Sequence, residues 1–487
     1  MLNLGCMETM KKIILLWLTL LLTARLAGAA EGTGTEAEAR LRVVLQLARE
    51  RNDRPLVERV GAAQRQLRQQ PDEATLRGLE REVGIDPGGW SMHGLKIFRP
   101  TPAFLARRDT LNRKLAEALT QDVAAVQAIC AELRETLGDQ AGLPDTRRQG
   151  ERAAWPPITQ GDAVDLFLGA LESESKGLRT ISAGKPIGNN MLRFYGDIIQ
   201  GCCEARPAVR KYRPEKLPEL DRLITGACGL LMNLQQPDGL FPFPDLRGKN
   251  IRFGAMIEQQ IAGHPEAVKD GWVVSADSDG GSQFDTGVCG VALLTAGKTY
   301  QRPDWTQAGR RAADWALAQG CVMNFNYNAF SVGLLAQAFQ ATGDARYLEG
   351  ASHKAELGVL PGQAPNGRWL DPHNARTVYH LIILRALHDL WAALPAERQR
   401  ERTAVAQAAG LAVGALLDEF AQAGVTTVAL RELQRHTTLN PRPDERLPAL
   451  LELNRAVLQQ KCRSGARFRL GVAVTELAAL TAPPAGR

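Results

Sequence analysis

The sequence predicts an all-α protein, a closed double ring of helical hairpins (an α/α toroid) with an N-terminal helical extension. Three observations carry that expectation. Helical patterns follow one another with little strand signal. They come in pairs joined by tight turns. One member of each pair is apolar on all sides, and such a helix must be enclosed on every side, which an open stack does not provide. Taking Asp285, Asn328 and Asn374 as comparable starts gives spacings of 43 and 46 residues. That is a hairpin array with a longer period than the ~34 residues of tetratricopeptide repeats.

Composition narrows the class further. The chain has 487 residues, 45% hydrophobic and 23% charged, too long for one small core and too balanced for disorder or collagen. Eight Cys exclude a disulfide miniprotein. With 59 basic and 53 acidic residues the net charge is only +6, and the basic residues are scattered, so nucleic acid is not an expected partner.

Residues 1–29 read as an address. Lys11 and Lys12 precede an apolar run from Ile13 to Leu22, and Ala27-Gly28-Ala29 has the small-x-small form of a cleavage site. The run makes about 15 Å of helix, roughly half a bilayer core. A signal peptide is therefore expected, starting at Met1 or Met10, with a secreted or periplasmic product. No other stretch reaches the ~18 apolar residues of a membrane span. The seven remaining Cys (130, 202, 203, 228, 289, 321, 462) include no CxxC pair and read as buried small hydrophobes, with at most one or two bridges.

Residues 30–150 read as the helical extension. Thr101-Pro102 opens a helix, and Leu111, Leu115, Leu119, Val123, Val126, Ile129, Leu133 and Leu137 form its apolar stripe. Pro144, Pro156 and Pro157 suggest a boundary near 150. Residues 151–430 hold the hairpins: 189–204 with 218–234, the buried helix from Asp285 with 304–319, the buried helix 328–341, then 372–390 with 401–420. Gly343 ends one helix and Asp344 caps the next. Residues 431–487 are expected as a C-terminal helical segment and tail.

The loop Gln235-Gln236-Pro237-Asp238-Gly239-Leu240-Phe241-Pro242 resembles the Q-x-x-[DN]-G-x-[WF] loop of α/α-toroid proteins: terpenoid cyclases, six-hairpin glycosidases and toroid-type pectate lyases. Its Gln-x-Pro-Asp-Gly form is most similar to the pectate lyase version. Thr342-Gly343-Asp344-Ala345-Arg346-Tyr347-Leu348 is similar to a hairpin turn of the glycosidases and sugar 2-epimerases of this fold. The resemblance covers roughly residues 160–425. It implies a toroid with its active site at one mouth of the ring. The D-x-D-D motif of the cyclases is absent, since Asp277-Ser278-Asp279-Gly280 lacks the third acid.

If inner-helix starts converge at such a mouth, they bring together Asn189, Asn190 and Arg193; Asp277, Asp279 and Asp285; Asn326, Tyr327 and Asn328; His373, Asn374 and Arg376. Helix N-termini aimed at one cavity favour an anionic ligand. The loop from Gly271 to Asp285 adds Trp272, able to stack on a sugar ring. Asp277 or Asp279 with Asp285 is the candidate carboxyl pair of a hydrolase. Arg193, Arg376, Tyr327 and His373 suit a lyase. Asn190, Arg193, Trp272, Asn326, Asn328 and Asn374 are the candidate substrate-binding residues. The competing reading makes Asp285, Asn328 and Asp344 plain N-caps and makes residues 277–285 a turn or calcium loop, though not an EF-hand, because Ser282 and Val288 stand where Gly and Glu belong. The loop of Asp238, Phe241, Asp245 and Arg247 reads as a structural clasp between hairpins. His373, His380 and His388 are spaced too far along one helix to share an ion. No cofactor or metal is called for.

The function expected is a secreted carbohydrate-active enzyme, a glycoside hydrolase or polysaccharide lyase, on a polysaccharide or oligosaccharide, an acidic one being favoured. The alternative is a non-catalytic toroid that binds glycan or protein. A sugar epimerase ranks lowest, because it needs a histidine pair across the cavity.

Overall fold

The chain is mostly helical, with only short strand pairs. The computed structural model describes residues 41, 44, 45, 48, 53–67, 73–82, 90–92, 95–97, 111, 114–119, 122–137, 150–172, 175–187, 190–248, 251–276, 280–370, 374, 376–463 and 472–482. The expected signal peptide, the Thr101-Pro102 helix start, Asn189, Asp277, Asp279 and His373 lie outside the described residues.

Packing divides the chain into two units, Met1–Arg99 and Pro100–Arg487. In the first unit α1 (Arg54–Leu67) is capped by Asp53, whose Oδ1 accepts from the Leu56 amide at 3.1 Å. Leu56, Val60 and Ala63, at helical spacing, bury against Leu76 and Leu79 of α2 (Glu73–Glu82). A small hairpin follows, β1 (Trp90–Met92) antiparallel to β2 (Leu95–Ile97) with Trp90 opposite Ile97. Strand was not expected here; it is too short to show a two-residue period.

The second unit opens with helical residues up to 118 and then α3 (Val123–Leu137). One continuous helix was expected. Asp122 breaks it, its Oδ1 accepting from the amides of Ala124 and Ala125 at 2.9 and 3.2 Å. Val126, Cys130 and Leu133 are buried after the break, while Val123 and Ile129 are only partly so.

The remaining helices are α4 (Gln160–Glu172), α5 (Ser175–Ser182), α6 (Arg193–Tyr212), α7 (Leu217–Leu234), α8 (Ile251–Gln260), α9 (Ser282–Tyr300), α10 (Pro303–Ala318), α11 (Phe325–Thr342), α12 (Ala345–Gly358), α13 (Thr377–Ala393), α14 (Gln399–Ala423), α15 (Leu430–Leu439), α16 (Leu447–Arg463) and α17 (Val472–Thr481). A three-stranded patch, β3 (Phe243–Pro244), β4 (Val268–Lys269) and β5 (Trp272–Val273), has β5 in the middle. Packing runs α6 on α9, α9 on α11, α11 on α13, α13 on α15, α15 on α17, and α17 on α6. Against these lie α7 on α6, α10 on α9, α12 on α11, α14 on α13, α16 on α15 and α4 on α17. Residues after 430 are therefore part of the same core: Leu433, Leu447, Val474 and Leu477 share one buried cluster with Leu111 and Phe167.

Small residues let the central helices approach. A Cβ on Gly287 would come within 2.7 Å of Phe330, and one on Gly201 within 2.4 Å of Val474. The helix α14, 25 residues, is long and apolar enough to cross a membrane, yet 56% of its apolar span is buried against its neighbours.

The clasp loop occurs twice. Gln235 Nε2 donates to the carbonyls of Gly239 (3.2 Å) and Ala308 (2.9 Å), and Arg311 Nη2 donates to Gln235 Oε1 at 2.7 Å. In Gln363-Ala364-Pro365-Asn366-Gly367-Arg368-Trp369, Gln363 Nε2 donates to the carbonyls of Gly367 (3.1 Å) and Ala408 (2.9 Å). The two loops reach the middles of α10 and α14 respectively. Gly239 and Gly367 have φ of 102° and 82°, and a Cβ on either would lie 2.0 Å from a backbone carbonyl oxygen, so each position admits only glycine.

Candidate functional site

The polar residues expected at the helix starts are found mostly holding the helices to one another. Arg193 opens α6. Its Nε and Nη2 donate to Asp285 Oδ1 and Oδ2 at 2.9 and 2.6 Å, and its backbone amide donates to Oδ1 at 3.2 Å. Asp285, 2% exposed, lies in the first turn of α9 rather than at its cap. The guanidinium also lies 3.7 Å over the Phe284 ring, which stacks on Phe330 of α11 at 4.0 Å. A carboxylate so engaged is a helix clamp.

Asn328 is likewise not a cap. Its Nδ2 donates to the carbonyls of Val322 (2.7 Å) and Gly358 (2.8 Å), and its Oδ1 accepts from the Val322 amide at 2.8 Å. Asn326 Nδ2 donates to Asn374 Oδ1 at 2.7 Å. The helix α13 begins at Thr377, five residues later than expected, so Asn374 precedes it and Arg376 is its N-cap residue. The Arg376 guanidinium lies 4.2 Å over Tyr379. Asn190, Tyr327 and Trp272 are half-buried, and Trp272 packs against the core from β5. Asp344 does cap α12, accepting from the Arg346 amide at 3.1 Å. The structure thus joins Arg193 to Asp285 and Asn326 to Asn374.

A cavity of about 710 Å³ lies further along the same helices, toward their C-terminal ends. Gln200, Gln337, Gln340 and Gln434 supply amides to its wall, and Thr295, Thr299 and Thr438 hydroxyls. Arg385, Arg431, Arg435 and Lys298 supply cations, and Glu204 and Asp389 carboxylates. Among the described residues no aromatic ring lines it. A smaller space shares Gln200, Val291, Arg385 and Asp389 with it and reaches Gly287 and Phe330. On α6, Arg193, Asp197, Gln200 and Glu204 fall on one face by helical spacing, leading from the clamp to the cavity.

The charges of this cavity are interlocked. Glu432 of α15, 1% exposed, accepts from Arg385 Nε at 3.2 Å, Arg431 Nη1 at 3.0 Å and His388 Nδ1 at 2.7 Å. Burial pushes its carboxyl up, but Arg435, the His388 bond and Arg431 outweigh burial and hold it well below the usual range. Arg431 also donates to Glu204, at 2.5 and 3.1 Å. Arg435 Nη2 donates to Asp389 Oδ1 at 2.6 Å, and Gln337 donates there at 2.9 Å. Two acids stand apart. Burial pushes Asp197 up to about 6 and Glu476 of α17 up to about 7; Glu476 Oε2 accepts from the Arg431 amide at 3.0 Å. Glu476 sits one turn before Ala479 on the cavity wall.

Behind the wall, a hydrogen-bond chain fixes both histidine tautomers. His388 Nδ1 donates to Glu432, so its Nε2 accepts from His436 Nδ1 at 3.2 Å, and His436 Nε2 then accepts from Asn440 Nδ2 at 3.2 Å. Burial, reinforced by His388, lowers His436 to about 4. The rings touch each other and are buried, so they are not the pair facing across a cavity that an epimerase needs. His380 is also packed, its Nε2 donating to the Ala412 carbonyl at 2.8 Å.

Sequence reasoning missed Asp197, Arg385, Asp389, Arg431, Glu432, Arg435 and Glu476. The available signal was a charge set inside an otherwise apolar helix, as in Leu384-Arg385-Ala386-Leu387-His388-Asp389, since such residues are seldom buried unless paired. Among the described residues no group of three or more His, Cys, Asp or Glu side chains is arranged to hold a metal ion. The seven described cysteines are free thiols, five of them buried. No protein-family model matches the chain, and no curated protein matches it.

Proposed function

We propose that the chain is an α/α toroid with an axial cavity for an acidic glycan, and that it acts there as a secreted glycoside hydrolase or polysaccharide lyase. The toroid reading is supported by the order of helix contacts, which returns from α17 to α6, with a second helix behind each of the six. The exported location rests on residues 1–29. The observation that carries the functional reading is the wall of the cavity. Its volume suits a ligand of one to a few sugar rings, and its amides and hydroxyls match ring hydroxyls in number and kind. Without an aromatic platform, neutral sugars have little to stack on, so guanidinium and ammonium groups must supply affinity, which favours a ligand carrying carboxylate or sulfate. Glu476, near half-protonated at neutral pH, is the candidate proton donor to a leaving oxygen. Asp197 is the second titrating acid on the path along α6.

The test is incubation of the full chain with oligouronates, sulfated oligosaccharides and their neutral counterparts, following reducing ends and unsaturated-sugar absorbance. Turnover of acidic substrates is expected, falling at least about a hundredfold in Glu476→Gln. A second reading, a non-catalytic binder, is favoured by one observation: both carboxylates on the wall, Glu204 and Asp389, are already held by arginines. Binding without turnover would select it. Absence of both would end the glycan reading.

A further inference from the structure

Among the cations of the cavity, Arg431 is fully engaged and Arg435 is held by Asp389 and faces Glu432 at 3.6 Å. Arg385 differs. Among the described residues its one hydrogen bond runs from Nε to Glu432 at 3.2 Å, and its side chain is 25% exposed. It lines both the large cavity and the smaller one. Lys298 is exposed at the cavity on the last turn of α9 and makes no ion pair among the described residues. Glu432 engages Arg385 through Nε alone, and among the described residues no hydrogen bond is made by its Nη1 or Nη2.

We propose that this Nη1–Nη2 edge of Arg385 is the subsite for a planar carboxylate of the ligand, with Lys298 a second cation on the wall of the same cavity. The proposal rests on the glycan reading for the rest of the ligand, but not for the carboxylate itself. A carboxylate can take two parallel N–H···O bonds from such a fork, whereas a lysine ammonium offers only a point charge. The charged groups around it are Asp197, Glu432 and Glu476, with Glu204, Asp389, Arg431 and Arg435 on the same cavity wall; Glu204, Asp389 and Glu432 already belong to the arginine network.

Calorimetric titration of the full chain with an oligogalacturonate, its neutral counterpart, free glucuronate and inorganic sulfate tests the assignment. In Arg385→Gln, uronate affinity should fall about tenfold to a hundredfold, with Arg385→Lys recovering part of it and neutral ligands unaffected. Lys298→Ala, at an exposed position that does not threaten folding, should lower uronate affinity about threefold and steepen no salt dependence. Uronate selectivity unchanged in folded Arg385→Gln and in Lys298→Ala would overturn the subsite while leaving the glycan reading intact. Glucuronate bound through Arg385 without any oligosaccharide binding would keep the subsite and remove the glycan reading. Sulfate bound as tightly as glucuronate would overturn the planar assignment, and no binding at all would overturn both.

Discussion

Single residues separate clamp from catalyst. If Asp285 were a catalytic carboxyl, Asp285→Asn would abolish turnover at unchanged stability. The bidentate pair with Arg193 predicts the opposite, a loss of roughly 2 kcal/mol, discounted from the cost of a fully buried pair because Arg193 is 21% exposed. Urea denaturation of the variant measures it. Glu476 sets a pH dependence with a definite sign. Its folded pKa of about 7 lies above the ordinary carboxylate value, so the folded chain binds the extra proton. Its contribution is fully present below about pH 4.5 and is lost as pH rises through about 7, on the order of 3 kcal/mol. His436 works in reverse: folded near 4 against an ordinary 6.5, it costs stability as pH falls through that window. Urea midpoints between pH 4 and 8 should therefore lose their downward slope above pH 5 in Glu476→Gln. An unchanged slope would contradict the assignment.

At the scale of elements, the two Gln-x-Pro-[Asp/Asn]-Gly loops do the same work in two hairpins. Gly239→Ala and Gly367→Ala should each cost more than about 3 kcal/mol, since a left-handed residue and a carbonyl clash are imposed together. Gln235→Ala and Gln363→Ala should each cost about 1–2 kcal/mol, because each removes the two side-chain hydrogen bonds that hold the loop closed and tie it to the next helix. Thermal denaturation of the four variants checks both statements, and unequal losses between the loops would show that they are not equivalent. The second loop carries more, since Arg368 pairs with the buried Glu419 of α14, which also accepts from Thr377 at 2.9 Å. That links the loop to the start of α13.

For the whole molecule, the proposed closure is held at α17. This helix packs on α6 through Val474 at Gly201 and carries Glu476, which accepts from the amide of the cavity-lining Arg431. Truncation after Arg463 should expose the apolar face of α6 and abolish cooperative unfolding, since Val474, Leu477, Ala478 and Leu480 are all buried. A truncated chain with one sharp transition at the wild-type midpoint would mean that α17 is an appendage and that the contacts do not close a ring. Gly201→Leu tests the same contact without removing residues and should lower the midpoint for steric reasons.

Helical periodicity and the all-round apolar character of α9, α11 and α13 were legible from the residues alone, because a helix records its surroundings every 3.6 positions. So were the Asp344 cap and the turn at Asp238, whose hydrogen bonds to the amides of Arg346 and Leu240 span two residues each. The break at Asp122 and the late start of α13 were not legible, because the apolar spacing runs on through both places. The site was less legible still. Arg193 and Asp285 are 92 residues apart, as Arg385 and Glu432 are 47, and no local pattern announces that such partners will meet. Sequence can say that a buried charge must be paired; only the packed fold names the partner, and with it which polar side chains are spent on holding helices together and which are left facing a cavity.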